Sequence, residues 1–78
     1  MYSLEIKKPA RKELDNLPAH IFLKIDRAIL SLKKDPYPYP QSKELKDEGK
    51  RRLRAGSYRV VCAVKEQQKV ITIFRVRT

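Results

Sequence analysis

The chain has 78 residues, which predicts one domain spanning residues 1–78 with a small core. Its net charge is +10, from 19 Lys and Arg against 9 Asp and Glu, and 41% of its residues are hydrophobic. This composition excludes a disordered tail and favours a polyanionic partner, which would be a nucleic acid, an acidic protein or a membrane surface.

A membrane is the least favoured of these partners. No apolar run approaches the roughly 20 residues that a membrane-spanning helix needs, and no signal peptide is recognisable. The basic residues do not lie opposite a bulky apolar helix face, as they would in a helix that lies on a membrane. We therefore expect no membrane partner and a cytoplasmic location.

The first half of the chain predicts a strand followed by two helices. Tyr2–Ile6 alternates apolar and polar residues, which is typical of a strand. Ala10–Leu17 has helical periodicity, and Pro9 suits the first turn of that helix. Ala19–Lys34 is the longest stretch with helical spacing, and Asp35-Pro36 ends it. Two helices joined at a proline predict an antiparallel helical hairpin.

A proline-rich connector follows the helices. Pro36–Pro40 cannot form a helix and is a poor central strand. We expect it to be extended, with its two tyrosines packed on the domain, and the alternative is a stacking surface for bases. Gln41–Gly49 is predicted to be a polar link with Leu45 as its one apolar anchor.

The second half of the chain predicts a three-strand antiparallel β-meander. Lys50–Arg54 forms its first strand, and Ala55-Gly56 forms a turn because Gly accepts backbone angles that other residues resist. Tyr58–Val64 is rich in β-branched residues and forms the second strand. Glu66–Lys69 is the next turn, and Val70–Arg77 the last strand. Two helices on one face of this sheet predict a two-layer α+β domain.

Alternation along the first strand of the meander predicts a cluster of positive charge. Successive side chains of a strand point to opposite faces, so Lys50, Arg52 and Arg54 should share one face and Arg51 the other. In an antiparallel hairpin, Arg59 would lie near Lys50, Arg52 or Arg54. The opposite, partly bare face of the sheet would then present several cations held on a rigid support.

The residue types exclude most familiar enzyme sites. A single cysteine, Cys62, excludes an internal disulfide and a Cys-based zinc site, and its apolar strand predicts a buried small hydrophobe. The single histidine, His20, lacks partners for a metal. There is no Gly-rich phosphate loop and no nucleophile–histidine pair. We therefore expect no metal and no cofactor.

The basic residues can bind phosphate, and in RNA they can do more. Arginine binds phosphate through a planar, two-pronged donor. RNA can be cleaved by its own 2′-hydroxyl if a protein accepts a proton and stabilises the charged phosphorane. Because cations around a lysine favour its neutral form, such a lysine could act as the base. On residue types alone, binding without catalysis is the simpler interpretation.

The chain resembles the RelE/ParE superfamily of bacterial and archaeal toxin–antitoxin toxins. Leu53–Val61, with the sequence LRAGSYRVV, is close to the signature R-x-G-x-Y-R-V-x-Y of that superfamily. The opening strand Tyr2–Ile6, the Ala10–Leu17 helix, the Leu32–Pro36 helix end and the Ile71–Arg77 strand fit as well. The resemblance covers nearly the whole chain and implies a RelE-like fold.

The resemblance to the RelE branch implies a metal-independent endoribonuclease that cuts mRNA on the ribosome. By this resemblance Lys50 is the candidate proton acceptor, and Arg52 and Arg59 bind and neutralise the scissile phosphate. Arg52 departs from the lysine-type residue of the family, and arginine is the poorer base, so the base role narrows to Lys50. The other candidate RNA-binding residues are Arg51, Arg54, Arg75 and Arg77.

The family also implies partners and alternatives. A cognate acidic antitoxin is expected to neutralise the toxin, because charge complementarity favours it, and the mRNA and the ribosome are the expected targets. One alternative is a non-enzymatic toxin that acts on DNA gyrase, as in the ParE branch. Another is a weakened toxin, because the family usually continues past its last strand with an arginine and a tyrosine, whereas this sequence stops at Thr78.

Overall fold

The structure, a computed structural model, describes residues 1–46 and 49–78 and contains two helices and five strands in that part of the chain. Asp47 and Glu48, which belong to the predicted polar link, lie outside the described residues. In chain order the elements are β1 (Ser3–Ile6), α1 (Lys8–Asp15), α2 (Ala19–Ser31), β2 (Ser42–Leu45), β3 (Lys50–Ala55), β4 (Tyr58–Lys65) and β5 (Val70–Arg77).

The strands form one mixed sheet in the order β1-β5-β4-β3-β2. Strands β2 to β5 are antiparallel neighbours in sequence order. The N-terminal strand β1 lies parallel to the C-terminal strand β5, with Ser3 opposite Val70 and Ile6 opposite Ile73. The two helices connect β1 to the antiparallel part of the sheet, so the predicted α+β class is confirmed.

The antiparallel part has four strands, whereas the sequence predicted three. The additional strand is β2, which pairs with β3 and lies within the stretch predicted to be a polar link. Its sequence is SKEL, which contains one apolar residue. Because β2 is a short edge strand held by backbone pairing with a single neighbour, it does not need the apolar pattern that identifies a strand in a sequence.

Both helices are confirmed, with different ends. The first helix spans Lys8–Asp15 rather than Ala10–Leu17, and the proline lies in its first turn as predicted. The second helix spans Ala19–Ser31 rather than Ala19–Lys34. The N–H groups of residues 32–34 donate to carbonyls three residues earlier, which is the tighter turn that often ends an α-helix.

Apolar residues from both helices and from one face of the sheet form a single core. Each Val, Leu or Ile side chain that is fully buried stabilises the fold by about 1.5–3 kcal/mol. Among the described residues, the buried apolar side chains are Ala10, Leu14, Ile25, Ile29, Leu32, Leu53, Ala55, Val60, Cys62, Ile71, Ile73 and Val76.

The Cys62 thiol belongs to this core. The residue is 1% exposed, and its burial raises the thiol pKa to about 11. A thiol with so high a pKa is a poor nucleophile, because only the thiolate reacts. The prediction that Cys62 is a small buried hydrophobe is confirmed.

The turn between β3 and β4 requires a glycine. Gly56 has a φ angle of +64°, in the left-handed region that side-chain-bearing residues adopt at a cost. A Cβ atom at this position would also lie 2.8 Å from Lys24 Nζ, although that flexible side chain can move away. The turn is important for the candidate site, because it fixes the register between β3 and β4.

We predict that Gly56→Ala lowers the free energy of unfolding by about 1 kcal/mol because of the backbone strain. Urea denaturation should show a lower midpoint with an unchanged m value. Ser57→Ala, in the same turn, is the control and should stay within about 0.5 kcal/mol of the wild type. A Gly56→Ala protein as stable as the wild type would contradict the requirement for glycine.

Candidate functional site

The sheet face opposite the core carries the basic residues of β3. Leu53 and Ala55 are buried in the core, so the alternating residues Lys50, Arg52 and Arg54 lie on the opposite face. Neighbours in this series are about 7 Å apart along the strand, since a strand rises about 3.3 Å per residue. The three cations are therefore held in one row, as the alternation predicts.

The strand register adds a second row across the sheet. Arg54 is opposite Arg59 on β4, and Arg59 is opposite Arg77 on β5. Cross-strand partners share a face and have Cβ atoms roughly 5 Å apart. Three arginines from three strands therefore lie side by side on the face that also carries Arg52.

Three of these arginines, together with Lys43 of β2, line a pocket of about 320 Å³, which we call the cationic pocket. Its walls are Pro40, Gln41, Lys43, Arg52, Arg54 and Arg59. None of these residues is acidic. Within residues 1–46 and 49–78, no ion pair joins the three arginines of the pocket to a carboxylate. The guanidinium groups of these arginines are therefore not neutralised by a carboxylate of the described residues, and they can bind an anion that enters the pocket.

A larger cavity, of about 650 Å³, lies between α2 and the β3 side of the sheet. Its lining includes Leu23, Ala28 and Leu53, and most of the exposed lining is apolar. The larger volume does not make it the better site for a phosphate, because an anion needs charged or N–H donors. The smaller cationic pocket is therefore the candidate for phosphate chemistry.

Lys50 lies on the same face as the pocket but outside its lining. Its ammonium nitrogen is 4.8 Å from the centre of the Phe74 ring, within cation–π range. Phe74 is the extra residue of a β-bulge, since Cys62 pairs with Ile73 and the preceding residue of β4 pairs with Arg75. The structure thus brings Arg52 and Arg59 together in the pocket and places Lys50 beside them.

Arg51 lies on the other side of β3 from the pocket. Its Nε donates to Ser42 Oγ at 2.9 Å, and its guanidinium lies 4.9 Å from the centre of the Tyr37 ring. The structure therefore does not bring Arg51 together with Arg52, Arg54 and Arg59.

The proline-rich connector forms one wall of the pocket. Two backbone hydrogen bonds, each 2.8 Å long, hold it in place. The Ser42 N–H donates to the Pro38 carbonyl, and the Arg54 N–H donates to the Gln41 carbonyl. Tyr37 donates a hydrogen bond to Glu66, which with burial raises its pKa to about 12. Tyr37 is 41% exposed but is anchored by this bond and by Arg51, whereas Tyr39 is 92% exposed and makes the prediction of two packed tyrosines wrong.

Arg75 and Arg77 contact a carboxylate, Glu13 of α1. Arg75 binds it through Nη2 at 2.8 Å and Nε at 3.3 Å, and Arg77 Nε lies 3.5 Å away. The backbone N–H of Val76 donates to Glu13 at 2.6 Å. The hydrogen bond from Arg75 is the main cause that lowers the pKa of the Glu13 carboxyl, with the Val76 N–H and both charges adding to it.

The ends of β1 and β5 explain this contact. The parallel pairing stops at Ile6 and Ile73, whereas β5 continues to Arg77. Beyond that point β1 no longer supplies acceptors to β5, and the Glu13 side chain accepts the N–H of Val76 instead. An unpaired N–H at this edge would be costly if buried, so Glu13 fastens α1 to the sheet.

Comparison with known proteins identifies the family. The model of the family described as "ParE toxin of type II toxin-antitoxin system, parDE" matches residues 4–78. The chain belongs to this toxin family. No curated protein sequence matches the chain.

Solved structures of related toxins have the same fold. The toxin–antitoxin complex RelBE2 from Mycobacterium tuberculosis matches with a TM-score of 0.85 and 25% identity, covering 97% of this chain and 95% of that one. The archaeal RelE–RelB complex from Pyrococcus horikoshii matches with a TM-score of 0.86 and 28% identity, over 97% and 92% of the two chains.

A third structure supports the fold alone. The YoeB/ParE toxin from Agrobacterium tumefaciens has a TM-score of 0.81 and 18% identity, over 96% of this toxin and 95% of that one. The family model and the structures from M. tuberculosis and P. horikoshii confirm the resemblance of the sequence to the RelE/ParE superfamily.

Two features bear on other kinds of function. Within the described part of the toxin, no three His, Cys, Asp or Glu side chains gather in a way that could hold a metal ion. In the same part of the chain, no helix is long and apolar enough to cross a membrane.

The sequence did not predict that Lys43 and Glu13 would belong to this region. Lys43 lines the pocket from β2, and only recognition of Ser42–Leu45 as a strand would have placed it opposite Arg52. Glu13 is brought to the end of β5 by the packing of α1, and no spacing in the sequence connects residues 62 positions apart.

We predict that Glu13 makes the free energy of unfolding decrease as the pH falls into the acidic range. Because its pKa is lowered in the folded state, its stabilisation is fully present above the ordinary carboxyl pKa of about 4.3 and is lost as the pH falls through the lower folded value. Urea denaturation of wild type and Glu13→Gln should therefore show a stability difference near neutral pH that shrinks in acid.

The same test can be made from the other side of the pair. In an Arg75→Gln background, replacing Glu13 by Gln should have a smaller effect near neutral pH, because the main partner is gone. Stability differences between wild type and Glu13→Gln that stay constant from neutral to acidic pH would contradict the assigned role of Glu13.

Proposed function

We propose that this toxin is a metal-independent endoribonuclease that cleaves mRNA, and that it does so on the ribosome. The observation that carries the proposal is the cationic pocket. Arg52, Arg54 and Arg59 line it, no acidic residue does, and Lys50 lies on the same face. Such a set of donors suits a phosphodiester better than it suits any neutral substrate.

The chemistry requires RNA, because the nucleophile comes from the substrate. The 2′-oxygen attacks the adjacent phosphorus as the Lys50 amine takes the 2′-hydroxyl proton. The bond from phosphorus to the 5′-oxygen then breaks, leaving a 2′,3′-cyclic phosphate and a 5′-hydroxyl. The leaving oxygen takes a proton, for which the newly charged Lys50 is the donor that this face offers.

The arginines act on the charge that develops at phosphorus. The phosphorane carries more negative charge on its oxygens than the ground state does, and preorganised donors stabilise it selectively. Arg52 and Arg59 line the pocket from adjacent strands, so a phosphate between them receives donors from two directions. Arg54 and Lys43 add charge that holds the RNA backbone.

The exposed aromatic ring at the pocket wall offers a place for a base. Tyr39 is 92% exposed and precedes Pro40, which lines the pocket. Stacking of a base on an aromatic side chain is worth roughly 1–3 kcal/mol. A nucleotide whose phosphate lies in the pocket can therefore place its base on this tyrosine, which is the alternative that the sequence left open for the connector.

We also infer that an acidic antitoxin binds and neutralises the chain in the cytoplasm. The similar structures from M. tuberculosis and P. horikoshii are complexes of a toxin with its antitoxin. The net charge of +10 favours an acidic partner by charge complementarity.

Cleavage of mRNA in a translating-ribosome extract tests the proposal. The purified wild-type chain should cut, Lys50→Ala should cut about 10²–10⁴-fold more slowly, and Arg59→Ala about 10²–10³-fold more slowly. Lys34→Ala is the matched control, because it removes one positive charge from an exposed residue beyond the end of α2. It should cut at the wild-type rate.

Two results would separate the site from the activity. Undiminished cutting by the double variant Lys50→Ala, Arg59→Ala would refute the site while leaving the activity. Cleavage of naked RNA at the same rate as ribosome-bound mRNA would refute the dependence on the ribosome.

A second candidate is inhibition of DNA gyrase without any cleavage. The family model that matches residues 4–78 is that of the ParE toxins, and the shared Tyr58-Arg59 motif does not distinguish the two branches. In this case the purified chain should inhibit supercoiling of plasmid DNA by gyrase and leave mRNA intact. Cleaved mRNA together with unimpaired supercoiling would exclude this candidate.

A further inference from the structure

The donors around Glu13 are those that would hold a phosphate group. Its carboxylate receives two bonds from Arg75, one from the backbone N–H of Val76, and lies 3.5 Å from Arg77 Nε. Arginine binds carboxylate and phosphate oxygens through the same forked geometry, and backbone N–H groups serve both. The Glu13 side chain of α1 therefore occupies an anion site that is formed by the end of β5.

This anion site adjoins the cationic pocket. Arg77 is the cross-strand partner of Arg59, which lines the pocket. Their Cβ atoms are roughly 5 Å apart, as in any such pair. Phosphates that follow one another along a nucleic-acid strand are within the reach of two neighbouring arginines. One RNA strand can therefore contact both sites.

The exposed fractions of the side chains distinguish the roles of the two arginines that bind Glu13. The side chains of Arg77 and Arg75 are 60% and 41% exposed, whereas that of Glu13 is 24% exposed. Arg77 is the more exposed of the two arginines and has the longer distance to the carboxylate. It is therefore the donor that a ligand can engage most easily, and Arg75 the one that keeps α1 fastened to β5.

We propose that Arg75, Arg77 and the Val76 N–H form a second phosphate site, and that Glu13 occupies it in the free toxin. The inference rests on the proposed binding of RNA at the cationic pocket. An RNA phosphate that enters the second site competes with the Glu13 carboxylate for the same donors. Glu13 thereby reduces the affinity of the sheet face for RNA while it stabilises the fold.

A purely structural role for Glu13 leads to a different expectation. If Glu13 serves only to attach α1 to β5, Glu13→Gln weakens that contact. The affinity for RNA would then stay constant, or fall because the site is less ordered. Competition requires the affinity to rise. The amide of Gln can still accept the N–H of Val76, so the variant keeps part of the fastening and should remain folded.

The test is the binding of a fluorescent, single-stranded 2′-O-methyl RNA, measured by anisotropy over a range of salt concentrations. The 2′-O-methyl group prevents cleavage during the titration. Glu13→Gln should bind about fivefold more tightly than the wild type at low salt, since releasing one arginine adds one phosphate contact. The slope of log affinity against log salt should steepen by about 0.7 for each added contact.

Asp15→Asn is the matched control. It removes the same charge from the same helix, at a side chain that is 62% exposed and lies 3.8 Å from Arg11. General attraction for RNA rises equally in the two variants, so only Glu13→Gln should steepen the salt slope. Equal affinities and equal slopes for the two variants would overturn the second site.

A double-mutant cycle identifies the donor. Arg77→Gln should weaken binding more in the Glu13→Gln background than in the wild type, because only there is Arg77 released from its carboxylate. Additive effects of the two substitutions would overturn the competition.

The same titrations separate the two proposals. An Arg59→Ala variant that binds the RNA as tightly as the wild type would refute the cationic pocket, and with it the proposed function. Binding that depends on Arg59 but is identical for Glu13→Gln and Asp15→Asn would refute only the second site.

Discussion

Burial of one face of the sheet is the constraint on which the rest of this structure depends. Leu53 and Val60 are opposite each other in the core, and their neighbours Arg52 and Arg59 must therefore point away from it. Each buried aliphatic side chain contributes about 1.5–3 kcal/mol. Two unit charges about 7 Å apart repel by roughly 0.6–2 kcal/mol near a protein surface. Burial outweighs the repulsion, so the core holds the cations together.

The shape of the pocket comes from segments outside the regular alternation. The connector after α2 supplies Pro40 and Gln41, and the carbonyl of Gln41 is fixed by the backbone N–H of Arg54. The edge strand β2 adds Lys43 opposite Arg52. A bare sheet would present a flat basic surface, whereas these walls turn part of it into a concave site in which a phosphate can be contacted from several directions.

The end of β5 combines a structural task with an electrostatic one. The strand continues past its partner β1, and α1 returns along it so that Glu13 accepts the N–H of Val76. The same carboxylate neutralises part of the charge of Arg75 and Arg77. A chain with a net charge of +10 thus uses one of its few carboxylates where the basic surface meets the edge of the sheet.

The sequence by itself determined the helices, three of the four antiparallel strands, the buried cysteine and the common face of Lys50, Arg52 and Arg54, because these follow from local periodicity. The superfamily was recognisable from the motif around Tyr58-Arg59. Only the tertiary structure decided that β2 is a strand, that Lys43 lines the pocket, that Arg51 is directed to Tyr37, and that Glu13 binds Arg75 and Arg77. These contacts depend on strand register and on helix packing, which bring together residues far apart in the chain and leave no periodic signal in it.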